Sequence, residues 1–176
     1  MKIVILGSQG SGKSTQAKML AQRLNFPAIE MGQLFRDKAK GNDLEAGEIK
    51  EALDVGNLVP DRIAIKTLQT RLAKNDCKNG YILDGYPRNY AQLEGLPTDI
   101  NKVIYIKVSD QEGIKRLIDR SRHDDSLDVV TKRLAIYHKE TEPLLTYFRN
   151  KGILIEIDGE KSLEQVHLDI VEKLQI

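Results

Sequence analysis

The most informative segment lies near the start of the chain and reads Gly7-Ser8-Gln9-Gly10-Ser11-Gly12-Lys13-Ser14-Thr15. It follows an apolar run at residues 3–6 and leads into a helix-like stretch at residues 17–24, which is the setting that the pattern G-x-x-x-x-G-K-[ST] requires. The glycines allow successive backbone N–H groups to turn inward around an anion, and the helix adds its positive dipole end. Lys13 can reach terminal phosphates, and the Ser14 hydroxyl can hold Mg²⁺. The segment, called the phosphate loop (residues 7–15) below, predicts a nucleoside triphosphate site.

Composition limits the classes of protein that fit. The chain has 176 residues, of which 40% are hydrophobic and 30% charged, and this predicts a single domain over residues 1–176. The net charge of +1 argues against a surface for a polyanion, so we expect no nucleic-acid partner. The single cysteine, Cys77, excludes an internal disulfide and suits a reducing compartment. The sequence offers no signal peptide or membrane span, so we expect a cytoplasmic protein without a membrane partner.

Apolar runs alternate with helical periodicity along the whole chain. The strand-like runs lie at residues 2–6, 28–31, 81–83, 103–108 and 153–157, and helices are predicted between them, including one long helix over residues 126–149 and another over residues 163–174. This alternation predicts an α/β fold with a five-stranded parallel sheet and helices on both faces. Ligands of such folds lie at the carboxyl ends of the strands. The phosphate loop and the segments after Met31 and Leu83 should therefore converge.

Residues 32–75 contain more helix than a simple crossover needs. Breaks at Gly41-Asn42 and Gly56-Asn57 divide the region into short helices, and Pro60 can start a helix over residues 61–73. The region is either a mobile insertion that covers a second ligand or a helical hairpin that packs on the sheet. Composition alone leaves both interpretations open.

A second polar segment follows the third predicted strand and reads Asp84-Gly85-Tyr86-Pro87-Arg88. A strand that ends in an acid is typical of phosphate-loop enzymes, in which the carboxylate orients Mg²⁺ or its water. A strand-terminal Asp is equally common as a turn former, so Asp84 alone leaves the choice open. The planar guanidinium of Arg88 can grip phosphoryl oxygens through two hydrogen bonds.

Together these segments resemble the nucleoside monophosphate kinases, and within them the adenylate kinases. The likeness covers nearly the whole chain in family order and is carried by the phosphate loop, Met31-Gly32-Gln33-Leu34-Phe35-Arg36, Gly56-Asn57-Leu58-Val59, Asp84-Gly85-Tyr86-Pro87-Arg88 with Gln92, Arg133-Leu134 before Tyr137-His138, and Asp158-Gly159-Glu160-Lys161. It implies a P-loop NTPase-type three-layer fold with a helical NMP-binding insertion at about residues 30–59. It also implies the reaction Mg·ATP + AMP ⇌ 2 ADP, with ATP and AMP as substrates.

The resemblance also implies a role for each matching residue. The ATP-binding set would be Gly10, Ser11, Gly12, Lys13, Ser14, Thr15, Arg116, Arg120 and Lys161. The AMP-binding set would be Met31, Gly32, Arg36, Asn57, Leu58, Val59, Gly85, Tyr86, Pro87, Arg88, Gln92, Arg122 and Arg133. The catalytic set would be Lys13, Arg88, Arg120, Arg122 and Arg133, with Ser14 and Asp84 holding the cofactor Mg²⁺ mostly through water. A cis peptide bond is expected between Tyr86 and Pro87.

The sequence departs from the family between two of these arginines. Similar enzymes carry a lid there, whereas Arg120 and Arg122 are separated by Ser121 alone, which predicts a LID reduced to a one-residue link near position 121. Since a lid excludes water from the transferring phosphate, either the helical insertion or a neighbouring subunit must supply cover, and a homo-oligomer is expected. Fewer lid contacts should also relax the selection of the triphosphate.

Acceptor selection depends on two further positions. Met31 stands where adenylate kinases usually show Thr, so its thioether could pack on the base in place of a hydrogen bond. Gln92 matches the family and favours adenine over a pyrimidine.

Three other interpretations fit part of the sequence. Met31 leaves a UMP or CMP kinase open as an alternative, whereas Gln92 argues against it. A non-catalytic nucleotide-binding regulator of the GTP-switch type would need Asn-Lys-x-Asp, and Asn101-Lys102-Val103-Ile104 lacks the Asp. A nucleic-acid-associated protein with a vestigial phosphate loop disagrees with the balanced charge and the arginine set.

Overall fold

A parallel sheet of five strands forms the centre of the computed structural model, which describes residues 1–120 and 126–176 and, of Arg120, the backbone alone. The strands are β1 (Lys2–Leu6), β2 (Ala28–Glu30), β3 (Tyr81–Asp84), β4 (Lys102–Lys107) and β5 (Leu154–Asp158). Their order is β2-β3-β1-β4-β5, and each neighbouring pair is parallel. The predicted fold class is confirmed, with every strand end within one residue of its expected position.

Helices cover both faces of the sheet. They are α1 (Lys13–Leu24), α2 (Met31–Lys38), α3 (Leu44–Asp54), α4 (Asp61–Leu72), α5 (Asp110–Arg120), α6 (Leu127–Ile136), α7 (Leu144–Asn150) and α8 (Leu163–Leu174). Side chains of β1 alternate between two cores, as the period of two in a strand requires. Ile3 and Ile5 pack with the residues of α1 and α8, whereas Val4 and Leu6 pack with those of α3, α4 and α7. Within the described ranges, none of the helices combines the length and apolarity that crossing a membrane would take.

Two helix boundaries have clear local causes. Asp43 accepts a hydrogen bond from the backbone N–H of Ala46 at 2.7 Å and so caps the start of α3. Pro60 immediately precedes α4, as the sequence predicted.

The single long helix predicted over residues 126–149 is wrong. The structure ends α6 at Ile136, continues with a π-helical turn over Tyr137–Thr141, and begins α7 at Leu144. Pro143 lacks a backbone N–H and cannot continue the preceding helical hydrogen bonds, which accounts for the break. The interruption places Thr141 so that its hydroxyl donates to the carbonyl of Arg88 at 2.6 Å.

Helix α5 approaches the phosphate loop unusually closely at Gly113. A Cβ atom at this position would lie 2.7 Å from the backbone oxygen of Gln9, and one at Gly10 would lie 2.2 Å from the oxygen of Gly113. Both clashes involve backbone atoms, which cannot move aside as a flexible side chain could. Glycine at position 113 is therefore required by packing, although it has poor helix propensity.

His138 connects the π-helical turn to the start of α5. Its Nδ1 lies 2.7 Å from Glu142 Oε2, and its Nε2 lies 3.0 Å from both carboxylate oxygens of Asp110. The hydrogen bond with Glu142, and then the one with Asp110, raise the pKa of His138 above its ordinary value of 6.5. When it is protonated, the imidazole can donate to both carboxylates, which lie on separate elements.

Substitution of Gly113 by alanine should destabilise the protein, against the usual effect of Gly→Ala inside a helix. Gly47 in α3 is the matched control, because a Cβ there meets no atom within 4 Å. We expect Gly47→Ala to raise the free energy of unfolding by about 0.4–1 kcal/mol and Gly113→Ala to lower it. Urea unfolding of the two variants measures both values, and equal stabilisation by both would contradict the close approach.

The contribution of His138 should depend on pH. Because the folded pKa is raised, the stabilisation is complete below about pH 6.5 and is lost as the pH rises through the folded value. His138 is 44% exposed, so solvent screening keeps the effect small. We expect His138→Gln to lower Tm by about 1–3 °C at pH 5.5 and to leave it unchanged at pH 9. A deficit in Tm that grew toward alkaline pH would disprove this assignment.

Candidate active site

The phosphate loop joins β1 to α1 in the geometry of an anion cradle. Gly10 and Gly12 have φ of 78° and 83°, values that an L side chain disfavours, and α1 starts at Lys13 directly after Gly12. The Lys13 ammonium donates to the carbonyl of Ser8 at 3.0 Å and so lies over the loop. Backbone N–H groups, the helix N-terminus and this ammonium together favour a polyphosphate.

Asp84 lies beside the phosphate loop because β3 is the neighbour of β1. The register pairs Ile5 with Asp84, so both strands deliver their following residues to the same edge of the sheet. The Ser14 hydroxyl donates to Asp84 Oδ2 at 2.5 Å. Asp84 is buried, and its Oδ1 has no hydrogen-bond partner among the described residues. Two carboxylate oxygens and a hydroxyl form the oxygen donor set that Mg²⁺ prefers, and the orphaned Oδ1 leaves a position for it or its water.

Arg88 is held by its own loop. Its Nε donates to the carbonyl of Gly85 at 3.0 Å, and its backbone N–H donates to Gln92 Oε1 at 2.8 Å. Gly85 has a φ of 86°, and a Cβ there would lie 3.4 Å from Arg88 Nη2, so glycine leaves room for the folded side chain. Burial lowers the pKa of the Arg88 guanidinium from its ordinary value, and the nearby Asp84 carboxylate opposes this shift. The peptide bond between Tyr86 and Pro87 is cis, as expected.

One open cleft brings most of the predicted site residues together. The empty space in it, together with the solvent at its open mouth, is about 1160 Å³. The predicted residues that line it are Gly10, Lys13, Ser14, Gly32, Arg36, Asn57, Leu58, Val59, Asp84, Gly85, Tyr86, Arg88, Gln92 and Arg133. The phosphate loop and three arginines thus contribute to a single cavity, below called the cleft.

Two of these arginines come from the helices that surround the cleft. Arg36 in α2 donates from Nε and Nη2 to the side-chain oxygen of Gln33, at 3.3 and 3.1 Å. Arg133 in α6 donates from Nη2 to the carbonyl of Leu53 at 3.3 Å and so links α6 to the end of α3. Gln33 thus orients the Arg36 guanidinium through two hydrogen bonds.

The structure places some predicted residues away from the cleft lining. Ser11 is buried, Thr15 is exposed and Pro87 is buried, while Gly12 contributes the turn of the loop. Met31 is fully buried and packs in the core formed with α3 and α4. Its thioether contacts other core residues, and its packing against a base stays a prediction. The cause is that β2 ends at Glu30, so Met31 begins α2 with its side chain turned inward.

Arg116 and Lys161, which were predicted to bind ATP, are not among the residues that line the cleft. The Arg116 guanidinium donates to Glu112 at 2.6 Å and to the carbonyl of Gly159 at 2.9 Å. Arg116 is thus in contact with the loop that the resemblance places against the ATP base. The Lys161 ammonium donates instead to Asp169 in α8 at 2.6 Å, which leaves only its backbone for that role. Ser121 and Arg122 lie outside the described residues, as does the Arg120 side chain.

Several residues of the cleft were not selected from the sequence. Gln9, Glu30, Phe35, Leu117, Ile136, Tyr137 and Thr141 also line it. Gln9 occupies a variable position of the phosphate-loop pattern, so only its place within the loop could have indicated that it lines the cleft. Tyr137 is 2% exposed, and it packs in the core while also lining the cleft. The sequence could not identify Thr141 as a cleft residue, because its position depends on the π-helical turn.

Comparison with known proteins agrees with this geometry. The family model described as adenylate kinase matches residues 5–153. Curated relatives carry the same name. The protein from Caldanaerobacter subterraneus subsp. tengcongensis is 37% identical over 99% of this chain and 96% of its own length, and the one from Bifidobacterium longum is 39% identical over 99% and 100%. A relative from Caldicellulosiruptor saccharolyticus is 34% identical over the full length of both chains.

The match with the Caldicellulosiruptor protein spans 215 aligned positions, whereas this chain has 176 residues, so the relative is the longer protein. The family match nevertheless covers most of the chain and includes the phosphate loop, Asp84, Arg88 and Arg133. On the convergence of these residues in one cleft and on these matches, the chain belongs to the adenylate kinase family of nucleotide phosphotransferases.

Proposed function

We propose that the chain catalyses the reversible, Mg²⁺-dependent transfer of the terminal phosphoryl group of ATP to AMP, giving two ADP. The observation that carries this proposal is the meeting of the phosphate loop with Arg36, Arg88 and Arg133 around one cleft. A polyphosphate cradle alone would suit many nucleotide-binding proteins. A cradle that faces several guanidinium groups suits direct exchange between two nucleotides.

The donor is assigned to the phosphate loop. Backbone N–H groups from Gly10 to Thr15 would bind the β- and γ-phosphates, and the Lys13 ammonium would exchange the Ser8 carbonyl for a phosphate oxygen. Arg116 and the backbone next to Lys161 would flank the ATP base. The contact of Arg116 with the Gly159 carbonyl supports this placement.

Ser14 and Asp84 would hold Mg²⁺, mostly through water. The fit rests on the buried, unpartnered Oδ1 of Asp84 and on the oxygen-only donor set. When bound, the ion neutralises charge that develops on the β- and γ-phosphate oxygens. The part played by the chain is to orient Asp84 through the hydrogen bond from the Ser14 hydroxyl.

The acceptor is assigned to the opposite side of the cleft. Arg36 and Arg88 would grip the monophosphate, and the backbone at Asn57, Leu58 and Val59 would contact its base together with Gln92. The carbonyl of Gly85 fixes the direction of the Arg88 fork before an anion arrives. A pre-oriented guanidinium loses little freedom on binding, so more of its attraction is expressed at the transition state.

No general base is required for this reaction, because phosphoryl transfer depends mainly on positioning and charge neutralisation. Arg133 lines the cleft, where it could contact the transferring group. The same role for Arg120 and Arg122 remains a prediction. So do the short LID link near position 121, the cytoplasmic location and the homo-oligomer that would shield the phosphates. A monomeric mass combined with full activity would contradict the oligomer.

Removal of either the Lys13 ammonium or the Arg88 guanidinium should abolish most of the activity. We expect Lys13→Ala and Arg88→Ala each to lower kcat/KM by at least about a hundredfold, since each loses on the order of 3 kcal/mol of transition-state stabilisation. A coupled assay of ADP formation with the full set of nucleoside monophosphates measures this and also tests the UMP/CMP alternative. Arg149→Ala is the control, because Arg149 forms an exposed ion pair with Glu156. Near-normal activity of Arg88→Ala would refute the assignment.

The site should accept several nucleoside triphosphates as phosphoryl donors. With few lid contacts to discriminate between triphosphate bases, we expect GTP, CTP and UTP to support ADP formation from AMP at rates within about a hundredfold of ATP in kcat/KM, or roughly 2.7 kcal/mol. The measurement varies the triphosphate at saturating AMP, and a stronger preference for ATP would rule out relaxed selection.

A further inference from the structure

The side-chain amide of Gln92 is held at both ends. Gln92 lies in a 3₁₀ turn over Ala91–Gly95, is 2% exposed and lines the cleft. Its Oε1 accepts the backbone N–H of Arg88 at 2.8 Å, and its Nε2 donates to Asp61 Oδ1 at 2.8 Å. Asp61 is the first residue of α4 and is separated from Gln92 by 31 positions in the sequence.

These two partners permit only one orientation of the amide. A backbone N–H can only donate and an ionised carboxylate can only accept, so a flip of the amide would place like groups against each other at both ends. Asp61 is itself fixed, because Asn89 Nδ2 donates to the same Oδ1 at 2.9 Å. Asn89 also accepts the backbone N–H of Gln92 at 3.0 Å, which closes the network.

The locked amide has one donor and one acceptor left. Nε2 carries a second N–H, and Oε1 has a second lone pair, and the described residues make no further hydrogen bond to either atom. A 6-aminopurine presents an acceptor at N1 beside a donor at N6, which is the complementary pair. A 6-oxopurine presents the reverse, a donor at N1 and an acceptor at O6, and would match only a flipped amide.

We propose that Asp61 is a positioning residue that makes the acceptor site select a 6-aminopurine monophosphate over a 6-oxopurine monophosphate. It acts through Gln92, by fixing which end of the amide faces each atom of the base. The proposal rests on the proposed function in one respect, namely that Gln92 contacts the acceptor base. The second hydrogen bond that orients the amide comes from the backbone N–H of Arg88. Mutation of a side chain cannot remove this bond.

The test compares AMP with IMP as acceptors in wild type, Asp61→Ala and Asp61→Asn. Asp61→Ala withdraws the acceptor from Nε2 and should lower the ratio of kcat/KM for AMP over IMP by about tenfold or more, the range of one hydrogen bond to a charged group. The change should lie mainly in the KM values. Asp61→Asn removes the charge but retains an acceptor oxygen, so its ratio should stay within about threefold of wild type. Asp99→Ala, which loses an exposed carboxylate paired with Lys2, should leave activity and ratio unchanged.

Two further measurements keep the result decisive. Asp61→Ser preserves a residue suited to a helix start and replaces Asp61→Ala should the latter fail to fold. Calorimetric binding of AMP and IMP measures the same discrimination without turnover. If the wild type were inactive on AMP, the proposed function would be refuted, but the effect of Asp61 on base selection could still be measured. A parallel loss for AMP and IMP with an unchanged ratio would show that Asp61 only supports the fold, and would overturn the proposal.

Discussion

The pairing of β1 with β3 is the constraint on which the site depends. Because the two strands are parallel neighbours and Ile5 lies opposite Asp84, the phosphate loop and the loop that carries Arg88 must leave the sheet side by side. The hydrogen bond of 2.5 Å between Ser14 and Asp84 joins them directly. Residues 70 positions apart in the sequence therefore form one anion-binding edge. The helices enclose this edge, but the sheet determines where the phosphates can lie.

Much of the fold could be predicted because its signals are local. Short apolar runs that alternate with helical periods define a parallel sheet, and Pro60 and Gly41 mark helix boundaries through their own backbone chemistry. The break between α6 and α7 was missed because residues 126–149 keep a helical period across it. Sequence periodicity also gives no sign that α5 meets the phosphate loop at Gly113, since that distance is set by the packing of two elements far apart in the chain.

The site was predictable to the extent that each role belongs to a motif. Lys13, Asp84 and Arg88 are placed by short segments with fixed backbone geometry, and all three line the cleft. Met31 differs, because the orientation of its side chain depends on where β2 ends and α2 begins. Asp61 could not be found at all, since its contact with Gln92 exists only after α4 packs beside the 3₁₀ turn. A residue that acts by orienting another residue belongs to no short motif, so sequence motifs do not identify it.

Arg88, which lines the cleft, is held differently from two arginines that lie outside it. Arg71 pairs with both carboxylate oxygens of Asp76, and Arg149 pairs with Glu156, so their charges are largely cancelled. Arg88 is oriented by the carbonyl of Gly85, a neutral acceptor, and burial lowers its pKa. The nearby Asp84 carboxylate offsets part of the desolvation of Arg88, and a bound phosphate would relieve more of it. An anion that binds beside Arg88 in the folded state should therefore raise the stability of the protein.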